Sequence, residues 1–106
     1  MVFIESRLFT KYLPEYLTDD EYRELQICLA DRPDAGSLIQ GTGGLRKLRW
    51  KNKGKGKSGG VRVIYYWQTA SGQIYFLTIY AKNEMSDLSS AEKKALGKLL
   101  EDWNNG

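Results

Sequence analysis

Two short segments carry the side chains best suited to chemistry. Arg62 lies in the run GVRVIYY, and Lys82 and Glu84 lie in the run YAKNE. Attack of an RNA 2′-hydroxyl on the adjacent phosphate needs a proton acceptor, a proton donor for the leaving 5′-oxygen, and cations that stabilise the dianionic transition state. Lysine, arginine and glutamate can fill all three roles without histidine or a metal ion. Arg62, Lys82 and Glu84 are therefore candidate catalytic residues.

Arg62 stands out because it interrupts an apolar and aromatic row. Alternation along a strand puts Val61, Val63, Tyr65 and Trp67 on one face, and Arg62, Ile64 and Tyr66 on the other. A charge in such a row is costly unless it lies at the rim of the sheet or has an anionic partner. We expect Arg62 at the rim, with Lys82 near it and Glu84 beside Lys82. For Glu84 and Asp87, capping of the following helix is an equal alternative.

The middle of the chain is strongly basic. Residues 1–35 have a formal charge of −4, residues 36–83 of +9 and residues 84–106 of −2, so the net charge of +3 understates the local field. Such a segment is typical of a surface that binds polyanions. Eight of its basic residues lie on the predicted strands Leu45–Trp50 and Val61–Gln68 or between them: Arg46, Lys47, Arg49, Lys51, Lys53, Lys55, Lys57 and Arg62.

Aromatic residues interleave with these bases, namely Trp50, Tyr65, Tyr66 and Tyr80. Basic side chains bind phosphates, and aromatic side chains beside them stack on nucleobases. The chain has no basic helix that could read duplex DNA. Single-stranded RNA or a ribosomal surface is the better fit, although a lysine-rich loop is often only a solvated connection. The candidate RNA- or ribosome-binding residues are Lys51, Lys53, Lys55, Lys57, Arg46 and Tyr66.

Composition excludes several classes of protein. The chain has one cysteine, Cys28, which cannot form an internal disulfide, and without histidine it lacks the usual ligands of a zinc site. We expect no cofactor and no metal. The glycine-rich runs GSLIQGTGG and GKS do not fit the spacing of nucleotide-binding loops. The chain also lacks an export signal and an apolar run of the ~18 residues that span a bilayer. We therefore expect a cytoplasmic protein.

The elements that position the candidate residues follow from patterning and capping. The sequence predicts a first strand over Val2–Glu5, a helix over residues 8–16, and a second helix that begins with a capping box at Thr18–Glu21. A second capping box at Ser89–Glu92 begins a C-terminal helix. The remaining strands are predicted at Leu45–Trp50, Val61–Gln68 and Gln73–Lys82. Together they predict one α+β domain over residues 1–106, with an antiparallel-rich sheet and all helices on one side.

Two longer blocks resemble a known family. GTGGLRKLRWKNKGKGKSGGVRVIYY, followed by TIYAKNEMSDLSSAEKKAL, is similar to the HigB branch of the RelE/ParE superfamily of bacterial toxins. The resemblance implies a RelE-like domain that enters the A site of the 70S ribosome and cleaves mRNA. It also implies a HigA-type antitoxin, through which the toxin contacts operator DNA.

The resemblance assigns roles to individual residues. Arg62 matches the phosphate-stabilising arginine, and Lys47 and Arg49 match two basic residues of the preceding strand. Lys82 and Glu84 match the basic and acidic residues after the last strand. This chain has Asn83 and Leu88 where RelE-type members carry an arginine and a tyrosine, so which residue is the acid and which the base stays open.

Two other functions are compatible with the same surface. One is a ParE-like toxin that inhibits DNA gyrase by binding, and the other is a non-catalytic module that binds RNA or the ribosome. The set Arg62, Lys82 and Glu84 favours the enzyme, because a pure binder of polyanions has no need of an acid beside its cationic face.

Overall fold

The computed structural model describes residues 1–51, 60–85 and 87–105. Within these ranges the elements follow the predicted order of a strand, two helices, further strands and a helix, with one addition, a two-residue strand at Ser37–Leu38. Such a short strand has no periodicity that a sequence pattern could reveal. The elements are β1 (Val2–Glu5), α1 (Arg7–Tyr16), α2 (Asp19–Asp31), β2 (Ser37–Leu38), β3 (Leu45–Trp50), β4 (Val61–Gln68), β5 (Gln73–Ala81) and α3 (Ser90–Asn105).

The strands of the described ranges form a mixed sheet of five, in the order β1-β5-β4-β3-β2. β1 runs parallel to β5, and every other neighbouring pair is antiparallel. β4 is thus the central strand. Its pairing with β5 shifts register between Ile64 and Tyr65. The α+β fold class predicted from the sequence is confirmed.

Side-chain caps fix where the helices begin. The Oγ of Ser6 accepts from the Phe9 amide at 3.0 Å at the start of α1. Thr18 and Glu21 form the predicted capping box of α2, with bonds of 3.2 and 2.8 Å. Ser89 and Glu92 form the same reciprocal pair before α3, at 3.1 and 2.8 Å. Both predicted capping boxes are therefore confirmed.

The helices cover both faces of the sheet. α1 and α2 pack Phe9, Leu25 and Leu29 against one face. α3 packs Leu96 and Leu100 against the other, which we call the α3 face. The prediction that all helices lie on one side is wrong. Both rows of β4 are apolar beyond its first residues, so each row needs its own cover, and two short helices cannot supply both.

No helix in the described ranges has the length and apolar character needed to cross a lipid bilayer.

Candidate active site

A row of three side chains crosses the α3 face at one end of the sheet. Arg49 on β3 is directly opposite Arg62 on β4, and Arg62 is directly opposite Tyr80 on β5. Directly opposite residues have Cβ atoms about 5 Å apart and project from the same face. We call Arg49, Arg62 and Tyr80 the cross-strand row. Lys47, two residues before Arg49 on β3, projects from the same face.

Arg62 is the buried centre of this row. Its side chain is 5% exposed, and its Nη1 donates to the carbonyl of Val61 at 3.3 Å. The expectation that Arg62 lies at the rim is wrong, because β4 is the central strand and is flanked on both sides up to its first residues. A buried guanidinium interacts more strongly with a phosphate than a guanidinium surrounded by water does.

The carboxylate of Asp87 contacts the cationic side of the α3 face. The Oδ1 of Asp87 lies 3.2 Å from the Nζ of Lys47 and accepts from the amide of Leu88 at 2.8 Å. The Leu88 amide and the Lys47 ammonium lower the pKa of Asp87 below its ordinary value, so the group stays ionised. Capping of the following helix was the alternative role for Asp87, but its bond goes to Leu88, before α3, and Ser89 caps that helix.

Lys82 and Glu84 follow directly after β5. The amide of Lys82 donates to the carbonyl of Gly60 at 3.2 Å, which places its backbone at the same end of the sheet as Arg62, and its side chain is exposed. The Oε1 of Glu84 accepts from the hydroxyl of Tyr16 on α1 at 2.6 Å. Burial and this bond to Glu84 raise the pKa of Tyr16.

Tyr80 is a candidate that the sequence noted only as one of several aromatics. Its hydroxyl is buried and makes no hydrogen bond within the described part of the chain. Burial raises the pKa of Tyr80, as does the Asp87 carboxylate, while Arg62 acts in the opposite direction. Strict alternation along β5 would put Tyr80 on the face opposite Tyr75 and Leu77, but the register shift in the pairing with β4 brings it onto their face, opposite Arg62.

Two predicted binding residues, Arg46 and Tyr66, lie away from the cross-strand row, and a third, Lys51, lies two residues after Arg49 and lines a cleft with it. The Nη1 of Arg46 donates to the carbonyls of Gly36 at 2.8 Å and Asp34 at 3.4 Å, so this guanidinium ties β3 to the segment after α2. Lys51 is exposed and lines a cleft of about 340 Å³ beside the acidic first turns of α2. Tyr66 makes an edge contact with Trp103, at 6.3 Å between ring centroids. Its position on β4 is about 13 Å from Arg62.

Lys53, Lys55 and Lys57 lie outside the described residues. Across residues 1–51, 60–85 and 87–105, no group of three or more carboxylate or cysteine side chains is arranged to hold a metal ion.

Comparison with known proteins identifies one family and one similar fold. The family model described as the RelE toxin of the RelE/RelB toxin-antitoxin system matches residues 6–105. The fold is similar to that of the toxin in the intact E. coli RelBE toxin-antitoxin complex, with a TM-score of 0.57 at 12% identity, covering 76% of this chain and 94% of that one. It is also similar to the isolated E. coli RelE toxin, with a TM-score of 0.56 at 12% identity, covering 92% of this chain and 97% of that one.

Proposed function

Because the chain belongs to the RelE toxin family, we propose that it is an endoribonuclease toxin of a type II toxin-antitoxin system that cleaves mRNA on the ribosome. Within the family we assign it to the HigB branch, on the two sequence blocks that resemble those toxins. Its partners are then mRNA in the A site of the 70S ribosome and a HigA-type antitoxin. Formation of a toxin-antitoxin complex by the similar E. coli protein supports the second partner.

The arrangement of Arg49 and Arg62 is the observation that carries the proposal. The two side chains lie directly opposite each other on β3 and β4 and project from the same face. A phosphate bound beside them is attracted by both guanidinium groups. A phosphodiester that gains a second negative charge in its transition state is attracted more strongly, so the pair binds the transition state more tightly than the substrate.

The remaining groups supply the proton transfers. The RNA brings its own nucleophile, since the 2′-oxygen attacks phosphorus as its proton leaves, and the 5′-oxygen departs with a proton. The products are a 2′,3′-cyclic phosphate and a free 5′-hydroxyl. Lys47, Lys82 and Glu84 are the proposed acid and base groups, because they carry exchangeable protons or lone pairs at the same end of the sheet. No cofactor takes part.

The basic residues outside the row contribute binding. Positive charge on and around β3 attracts the RNA backbone and the ribosomal surface at long range, and this attraction weakens as salt rises. We assign this role to Lys51, Lys53, Lys55 and Lys57. Arg46 and Tyr66 have packing roles in the fold and are not part of the proposed binding surface.

The proposal is tested with purified protein and an mRNA read by primer extension, with and without programmed ribosomes. We expect new 5′-hydroxyl ends only when ribosomes are present and the codon stands in the A site. A supercoiling assay with DNA gyrase runs in parallel. Inhibition of gyrase without RNA cleavage would instead indicate a ParE-like toxin, and ribosome binding without either activity would indicate a non-catalytic module.

A further inference from the structure

An ionised carboxylate lies on the face that the proposed function assigns to RNA. Asp87 contacts Lys47 across 40 residues of sequence, joining β3 to the segment before α3. The same Oδ1 accepts from the Leu88 amide, so a backbone donor anchors the carboxylate where it meets the ammonium group. A lysine has four rotatable side-chain bonds, and a fixed anionic contact restricts them.

The ion pair between Lys47 and Asp87 is too exposed to contribute much to stability. The side chains of Lys47 and Asp87 are 33% and 58% exposed, and ion pairs with that degree of exposure add little to folding free energy. A negative charge on this face also opposes the binding of a polyanion. Its cost to binding is offset if the carboxylate aligns a group that acts on the RNA.

From this geometry we propose that Asp87 is a positioning residue of the active site, which acts by holding the ammonium group of Lys47 in its catalytic orientation. The inference rests on the proposed function and extends it to a residue that the sequence resemblance does not assign. Asp87 does not itself act as the base, because its lowered pKa makes it a poor proton acceptor near neutral pH.

The test uses Asp87→Asn in the full-length toxin on programmed ribosomes. Asparagine keeps a side-chain oxygen that accepts from the Leu88 amide, and it removes only the negative charge. We expect the single-turnover cleavage rate at saturating toxin to fall roughly tenfold, the size of a coupling between contacting groups. Ribosome affinity should stay the same or rise, because a negative charge has left the surface. The matched control is Asp102→Asn, which removes the exposed Lys98–Asp102 pair within α3 and should not change the rate.

A double-mutant cycle shows whether Asp87 acts through Lys47. In a Lys47→Gln background, Asp87→Asn should cause no further loss of rate. The inference is overturned if Asp87→Asn cleaves as fast as the wild type, if it lowers affinity and rate together, or if its effect is as large without Lys47. If the wild-type protein fails to cleave mRNA on ribosomes, the proposed function and this inference are both overturned. If the wild type cleaves and the Asp87 variants behave as just described, only this inference is overturned.

Discussion

Tyr80 and Arg62 lie directly opposite each other on β5 and β4, and each side chain is only 5% exposed. A phenol whose hydroxyl lacks a partner in the described ranges therefore stands next to the central guanidinium of the site. Buried polar groups of this kind are usually satisfied, and those that are not concentrate at functional sites. The pair therefore supports the site proposed at this end of the sheet.

Arg62→Ala should abolish cleavage and also destabilise the protein. Loss of a group that stabilises transition-state charge costs on the order of 10² to 10³ in rate. Because the side chain is buried, its truncation should also lower the free energy of unfolding, by about 1–3 kcal/mol. Single-turnover cleavage and urea unfolding measure the two effects separately. Arg62→Lys, which keeps the charge, is the control, and full cleavage by a folded Arg62→Ala protein would remove Arg62 from the mechanism.

Tyr80→Phe should leave the protein as stable as the wild type or more stable, by about 1 kcal/mol, because it removes a buried hydroxyl that has no partner in the described structure. The matched control is Tyr65→Phe. The Tyr65 hydroxyl donates to the Pro33 carbonyl at 2.7 Å and accepts from the Gly36 amide at 2.9 Å. Its removal should cost about 1–3 kcal/mol. Urea denaturation compares the two, and equal destabilisation by both variants would show that Tyr80 has a partner.

Stability should fall at alkaline pH together with tyrosine ionisation. Burial raises the pKa of five tyrosines above its ordinary value, so the folded state favours their neutral form. That contribution is fully present below the unfolded pKa of about 10 and is lost as the pH rises through the folded values. Phenolate absorbance and circular dichroism should therefore change together above about pH 10. Ionisation of these five groups in a fully folded protein near pH 10 would contradict the account; they are Tyr16, Tyr22, Tyr65, Tyr75 and Tyr80.

Replacement of Lys53, Lys55 and Lys57 together by Gln should weaken ribosome binding without slowing the chemical step. Each lost contact with a single-strand phosphate should reduce the salt dependence of binding by roughly 0.7 log units per log unit of salt. Binding is measured across a salt series, and the rate in single turnover at saturating toxin. Unchanged affinity and salt slope with a lost cleavage step would make these lysines catalytic.

Sequence patterns predicted the elements well where local signals were strong. Thr18 with Glu21, and Ser89 with Glu92, are reciprocal caps that depend on spacing alone, and both occur. Alternation along β4 correctly separated Val63 and Tyr65 from Ile64. The resemblance of two sequence blocks to the RelE/ParE superfamily also agrees with the match to the RelE family model.

Features that depend on distant parts of the chain were harder to predict. The position of β4 at the centre of the sheet, which buries Arg62, follows from strand order rather than from local sequence. The contact between Asp87 and Lys47 depends on how the segment after β5 turns, which no local pattern predicts. The bond between Glu84 and Tyr16 joins residues 68 positions apart, a distance over which no sequence pattern operates.

The most direct test of the account is induction of the toxin in growing bacteria, followed by mapping of RNA 5′-ends across the transcriptome. The account predicts new ends inside translated messages, in register with codons, and none in untranslated RNA; an equally expressed Arg62→Ala protein should produce none of them. Growth arrest by the wild type without new ends, or cuts spread equally over translated and untranslated RNA, would contradict ribosome-dependent cleavage.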